Sequence, residues 1–219
     1  MMTENVGAAE APNRSTRHKQ KTRARLVKAA LSVMAKKGAD AATINDITEA
    51  ADVGFGSFYN HFTSKEDILE AATNELFETL GAKIDAEVET IADPCVALAT
   101  AIRAFTAIMI ARKDWARFII RITSVPGYKR FGIYARLFRD IRRIHDSKRL
   151  KFPDPQVAGY AVGGAILFMI TALVEGDISE AEAPKRIAAM VLRMLGEDEG
   201  CIQTIVSCPL PVSEADLLA

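Results

Sequence analysis

Cysteine is scarce in this 219-residue chain: Cys95, Cys201 and Cys208 are too few and too scattered to staple a disulfide scaffold, which suggests a reducing compartment. Histidine is equally scarce. His18, His61 and His145 fall in separate segments, with no HExxH pair, paired cysteines or nucleophile elbow around them. No metal, no cofactor and no catalytic machinery is therefore expected, which leaves an all-α enzyme without visible means. Net charge is absent too: 28 Lys+Arg balance 28 Asp+Glu, which excludes a protein that coats nucleic acid by bulk charge along its whole length. Counts of 13 glycines and eight prolines exclude collagen-like and low-complexity classes. The N-terminus lacks the apolar core of a signal peptide, so the expected location is the cytoplasm. Period-2 alternation long enough for a strand is also missing, as is any internal repeat. The fold class to expect is all-α.

What is present is a hydrophobic fraction of 49%, enough apolar surface to offset chain entropy and exclude disorder. The neutral total also conceals segregation. Between Ala11 and Ala39 there are nine basic residues and no acidic one. Arg112–Lys151 carries 13 basic and three acidic residues, and the chain from Gly196 onward carries five acidic and none basic. Val157–Val174 is an uncharged run of 18 residues containing Gly159 and Gly163 in GxxxG spacing, at the lower edge of a membrane span. Seven of the 18 are Ala or Gly, which favours a helix buried in a protein interior or subunit interface over one in lipid.

Residues 1–18 read as a flexible basic arm. Helical periodicity follows in Leu26, Ala29, Ala30, Val33 and Met34, with Gly38 as the stop. Thr43 and Asp46 have capping-box spacing ahead of a short helix that buries Ile44, Ile47, Ala50 and Ala51. A break at Val53-Gly54 precedes a second short helix through about 56–61, and Ser64 with Asp67 caps a longer one bearing Ile68, Leu69, Ala72, Leu76 and Leu80. After Asp93-Pro94, helical patterns run at about 95–112, 114–124, 128–148, 155–175 and 180–196. Turns are marked by Pro126-Gly127, Pro153-Asp154-Pro155 and Gly176-Asp177.

Two short helices joined by a tight turn, after a basic helix and before a capped one, suggest a helix-turn-helix whose second helix enters the major groove. The sequence Thr43-Ile44-Asn45-Asp46-Ile47, Ala50-Ala51-Asp52-Val53, Gly56-Ser57-Phe58-Tyr59-Asn60-His61-Phe62 and Ser64-Lys65-Glu66-Asp67-Ile68-Leu69 resembles the DNA-binding domain of the TetR family of transcriptional regulators. The likeness covers residues 22–70 without insertion. It implies a helix-turn-helix domain over 19–65, a helical regulatory and dimerisation domain over 66–196, and a tail over 197–219 that the resemblance does not reach.

The resemblance also implies a function. The chain would be a ligand-responsive repressor that leaves a pseudo-palindromic double-stranded DNA operator when a small apolar or amphipathic effector binds. For DNA it implies Thr43 at the helix that rests on the backbone, Tyr59 and His61 near phosphates, and Lys65 at the start of the fourth helix. It puts Gly56, Ser57 and Asn60 at the leading end of the recognition helix, with Arg17 and Arg23 on the basic arm. Phe58 and Phe62 are expected to pack the core. Two positions depart from the pattern: Gly54 replaces a capping serine, and Phe55 replaces a polar residue. Phe55 either touches a thymine methyl or packs locally.

In the second half the resemblance implies a homodimer, with no membrane, through the last two long helices. The candidate contacts are Gly159, Gly163, Ile166 and Ile170, with Ile187, Met190, Val191 and Met194 opposite. Candidate effector-lining residues are Phe105, Met109, Trp115, Phe118 and Ile122 in the first part of the domain, then Tyr134, Phe138, Phe168 and Met169. An aromatic stripe at helical spacing is equally the mark of plain core. Arg136, Arg139, Arg142 and Arg143 either admit an anionic headgroup, such as a carboxylate or acyl thioester, or form a solvated face. Cys201 and Cys208 lack the neighbours of a metal site.

Overall fold

The computed structural model describes residues 14–38, 41–122 and 132–210. The described residues form helices only. These are α1 (Arg14–Lys37), α2 (Ile44–Ala50), α3 (Phe55–Phe58), α4 (Lys65–Val88), α5 (Pro94–Ala111), α6 (Lys113–Ile122), α7 (Gly132–Asp146), α8 (Pro155–Glu175), α9 (Ala183–Met194) and α10 (Glu199–Ser207). The chain divides into two compact units, the first ending at Ala72 and the second beginning at Thr73. The segments 1–13, 39–40, 123–131 and 211–219, with the Pro126-Gly127 turn and most of the expected arm, lie outside the described residues.

In the first unit the helix ends are set by local chemistry. Gly38 takes φ 83° and donates its N–H to the Met34 carbonyl at 2.8 Å, the left-handed stop that a glycine adopts without a Cβ clash. Thr43 caps α2 reciprocally: its Oγ1 accepts from the Asp46 N–H at 3.1 Å, and the Asp46 carboxylate accepts from the Thr43 N–H at 3.1 Å. Ser64 accepts from the Asp67 N–H at the start of α4. Leu26, Ala30 and Met34 of α1 then bury against Ile47 of α2, Phe58, Phe62 and Ile68, all 2% exposed or less. Arg25 reaches across to the Ala51 carbonyl at 2.6 Å and the Asp52 carbonyl at 2.9 Å, tying α1 to the end of α2. Helix α1 begins at Arg14, so residues 14–18 are helical where an arm is expected.

In the second unit α5 is the centre. Twelve of its residues are buried, and it packs against α6, α7, α8, α9 and α10. Asp93 caps it through the Cys95 and Val96 N–H groups, with Pro94 where a missing N–H costs nothing. Asp154 and Pro155 repeat that arrangement on α8, which Gly176 ends at φ 85°. Helix α10 lies in the segment expected to be a tail. Asp198 caps it, Ile202, Ile205 and Val206 are buried, and the Cys208 carbonyl accepts from the largely buried Arg103 guanidinium of α5 at 2.7 Å.

Candidate nucleic-acid interface and effector cavity

Helix α3 presents its side chains in two directions. Phe58 and Phe62 point inward and are fully buried, whereas Phe55 and Tyr59 are 50% and 54% exposed. The two outward rings meet edge to face, with centroids 5.7 Å apart, so Phe55 touches its neighbour and still faces solvent. Gly56 and Asn60 are exposed beside them, and Ser57 is half-buried. A Cβ placed at Gly54 or Gly56 would meet nothing within 4 Å, so packing within this chain does not require glycine at either position.

The polar residues around α3 are differently engaged. Thr43 is exposed, but its hydroxyl and its backbone N–H both bond to Asp46. A phosphate there must share or displace that carboxylate, whose bond to the Thr43 hydroxyl the capping-box spacing did not indicate. The Asp46 carboxyl is held down at about 2, first by the Lys37 ammonium 2.7 Å away and then by Thr43. His61 is half-buried with Nδ1 making no hydrogen bond. Burial, and then the charges of Lys19 and Arg23, lower its pKa from the ordinary value, which favours the neutral ring over the cation. Arg17 and Arg23 are exposed on α1, and the Arg23 guanidinium lies 4.9 Å above the Phe62 ring. Lys65 occupies the first position of α4.

The second unit contains a cavity of about 210 Å³, walled by α4, α5, α6, α7 and α8. Of the nine residues expected to line an effector site, Phe105 and Tyr134 do. Met109 and Phe118 are core, 1% and 4% exposed. Trp115 stacks under the Arg112 guanidinium at 4.1 Å. Phe138 packs among the Tyr134 and Tyr160 rings. Phe168 is 77% exposed, Met169 is not among the lining residues, and the Ile122 side chain is outside those described. The aromatic pattern marked core, cavity and surface alike, because all three recur at the helical period. Lining residues that the pattern missed include Phe77 and Ile84 of α4, Leu98 of α5 and Leu167 of α8.

The charged wall belongs to α4 and α7. Arg136 donates from Nε to Asp85 at 2.7 Å and from Nη2 to Glu78 at 3.1 Å. Arg139 donates to the other Asp85 oxygen and to Asp140, both at 2.9 Å. Burial works to raise the Asp85 pKa, but the two guanidiniums outweigh it and hold the carboxyl below its ordinary range. Arg143 spends its guanidinium on the Ile91 and Ala92 carbonyls, and Arg142 is exposed. The arginines expected to receive an anionic headgroup are thus largely committed to partners in their own chain.

Of the small-residue pair, Gly159 is committed internally. A Cβ there would come within 2.6 Å of the Phe138 ring, so this glycine lets α7 approach α8, whereas one at Gly163 would make ordinary contact with Leu137 at 3.4 Å. Ile166, Ile170, Ile187 and Val191 are buried within the single chain, the last two at 2% and 0% exposure. Of the eight expected dimer contacts, Gly159, Ile166, Ile170, Ile187 and Val191 thus pack inside their own chain, and Met190 and Met194 face outward. The outward apolar residues are Val157, Tyr160 and Phe168 on α8, with Met190 and Met194 on α9. Helices α5 and α8 are both long and apolar enough to span a membrane by composition, but 67% of α5 is buried against 22% of α8.

The described residues therefore define an all-helical protein with a helix-turn-helix unit and a separate cavity-bearing unit. Residues 26–72 match the description "Bacterial regulatory proteins, tetR family", and residues 93–207 match "Tetracyclin repressor-like, C-terminal domain". The chain belongs to the TetR family, whose curated relatives are transcriptional regulators rather than enzymes. It is 38% identical over 74 residues to the repressor DhaR of Mycobacterium sp. (strain GP1), covering 34% of this chain and 37% of DhaR. It is 36% identical over 66 residues to the regulator TtgR of Pseudomonas putida, covering 30% and 31%. The chain thus matches about a third of the length of these curated relatives. A crystal structure of RolR in complex with resorcinol superposes with a TM-score of 0.72 at 28% identity, covering 90% of this chain and 98% of that one.

Proposed function

We propose that this protein is a cytoplasmic, homodimeric repressor that binds a pseudo-palindromic DNA operator and releases it when a small molecule occupies the cavity of the second unit. The observation that carries the reading is the outward pair Phe55 and Tyr59 beside exposed Gly56 and Asn60. Large rings left half in water at the leading end of a recognition helix are held ready for another surface. Phe55 meets a thymine methyl, Tyr59 meets a phosphate, and Gly56, Ser57 and Asn60 permit close approach to base edges or backbone. Thr43, His61, Lys65, Arg17 and Arg23 complete the phosphate contacts.

The cavity supplies the effector site, supported by the likeness to RolR with its bound resorcinol. Helix α4 contributes Lys65 at its first turn and Phe77, Ile84 and Asp85 to the cavity wall, so one helix is common to both sites. The outward apolar residues of α8 and α9 form the dimer face, covered by a second copy rather than by lipid.

Electrophoretic shift of DNA from upstream of the protein's own gene tests the proposal. A sequence-dependent shift that weakens with salt is expected. Tyr59→Ala should reduce affinity about tenfold, the scale of a single side chain's hold on DNA, without lowering the melting temperature. Absence of any sequence-dependent shift would overturn it.

A further inference from the structure

We infer that the second unit holds a further ligand site, between the C-terminal half of α5 and the start of α9, which takes a small monocarboxylate on the Arg103 guanidinium.

The site is a cavity of about 260 Å³ with an apolar wall that includes Ala107, Ile110 and Ala111 of α5, Pro184 of α9 and Leu210. It has no lining residue in common with the effector cavity. Helical spacing explains the separation. Leu98, Ala101, Ile102 and Phe105 fall on one face of α5 and line the effector cavity, whereas Arg103, Ala107, Ile110 and Ala111 fall on the opposite face.

The charges at this second cavity leave one cation over. Glu180 and Glu182 both line it, and each is neutralised by a lysine at 2.7 Å, Lys113 for the first and Lys185 for the second. Arg103 is only 5% exposed. It donates from one Nη to the Cys208 carbonyl at 2.7 Å, while its buried Nε has no hydrogen-bond partner. Burial lowers its pKa from the ordinary arginine value, and the opposing influence of Cys208 and Glu182 does not cancel that. A buried cation without a counter-charge is costly, and so is a buried donor without an acceptor. A carboxylate arriving at Arg103 relieves both, and a charge-assisted hydrogen bond to a guanidinium is among the stronger ones.

Helix α9 contributes its positive end to the same cavity. Pro184 and Lys185 of its first turn are lining residues. Its N-cap residue, Glu182, takes φ 56° and makes no side-chain cap hydrogen bond, so the cap side chain does not compete with an incoming anion. The start of a helix favours negative charge. The apolar wall adds a second requirement. An inorganic anion leaves it in water, whereas a carboxylate with a short hydrocarbon chain covers it. One negative charge matches the one surplus cation.

Calorimetric titration of the full chain with hexanoate, hexanol and acetate tests this. Hexanoate is expected to bind at least about tenfold tighter than hexanol, which lacks the charge, and at least about tenfold tighter than acetate, which lacks the chain. It should also raise the melting temperature by mass action. Arg103→Met keeps an unbranched side chain, removes the charge, and should abolish hexanoate binding, while its cooperative melt shows that the variant folds. Ala111→Phe, made at an exposed position of α5 that lines the cavity, should do the same with Arg103 intact. Ala101→Phe, which obstructs the effector cavity, should leave hexanoate binding unchanged. Hexanoate that binds no tighter than hexanol or acetate overturns the inference. So does binding that survives both Arg103→Met and Ala111→Phe, or that Ala101→Phe abolishes. These titrations need no DNA, so failure of the repressor reading shows separately, as loss of the DNA shift.

Discussion

At the residue scale, the two exposed anchors of the first unit can be separated from its stability. Gly56 sits in α3 with open space where a Cβ would go, and helical glycine costs about 0.5–1 kcal/mol relative to alanine. Gly56→Ala is therefore expected to melt at the same or a higher temperature and to lose affinity for DNA, measured by thermal denaturation and electrophoretic shift on the same preparation. Asp46 gives a pH prediction. Its carboxyl titrates at about 2 in the fold and near 3.9 in an unfolded chain. A depressed pKa contributes stability that is complete above the unfolded value and is lost as pH falls from about 4 through 2. Asp46→Asn should flatten that part of the acid-unfolding profile and lower stability at neutral pH. Residues of this kind were legible in the sequence, because a cap acts over three or four positions and its partners are neighbours. Thr43, Asp46, Ser64 and Gly38 show their roles by spacing alone. The capping box already implied that Asp46 takes the Thr43 N–H; that the same carboxylate also takes the Thr43 hydroxyl, at 2.8 Å, was not legible, since spacing does not say which of two acceptors a donor prefers.

At the element scale, α8 and α9 show what periodicity leaves open. A helix apolar nearly all round has one period and several faces, so Gly159, Ile166, Ile187 and Val191 looked interchangeable with Val157, Phe168, Met190 and Met194. Only tertiary packing separates the set that meets α5 and α7 from the set left outside. Gly159→Val should cost about 1–3 kcal/mol, the range for overpacking, because the Phe138 ring it would strike is itself held between Tyr134 and Tyr160. Chemical denaturation reads that directly. Helix α10 escaped the sequence reading because prolines, cysteines and acidic residues dominate its surroundings. Its signal was present in Asp198 as a cap and in Ile202, Ile205 and Val206 at helical spacing. Ile202 is fully buried, and Ile202→Ala should destabilise by about 2–5 kcal/mol, the usual cost of truncating a core aliphatic residue.

At the scale of the whole molecule, the neutral sum of charges reflects division of labour. Arg17 and Arg23 of α1 are exposed, whereas Arg25 and Lys37 pair with Asp52 and Asp46, and Arg136 and Arg139 of α7 pair with carboxylates of α4. DNA affinity should therefore depend on salt through Arg17 and Arg23 rather than through α7. Arg17→Ala should lower the slope of log affinity against log salt by about 0.9 for each phosphate that the side chain neutralises, once per protomer, while Arg142→Ala leaves it unchanged. Assembly is tested on the outward apolar residues. Phe168→Glu with Met194→Glu should shift the sedimentation coefficient from dimer to monomer, because two charges desolvated in a symmetric contact are counted twice. A protein that stays dimeric with both substitutions does not use this face.

The close approach of α4 and α7 has one consequence for how this chain can vary. The Arg136 guanidinium occupies the space that a side chain at Gly81 would fill, and it donates to Asp85 from there. Any residue with a Cβ at position 81 makes the guanidinium shift, and the change falls on the ion pair with Asp85. The two positions, on different helices, therefore behave as a single locus. Loss of the ion pair in Gly81→Ala opposes the gain from replacing a helical glycine, whereas in the Arg136→Ala background only that gain remains, so the effect of Gly81→Ala should be more favourable there, a non-additivity that a double-mutant cycle measures.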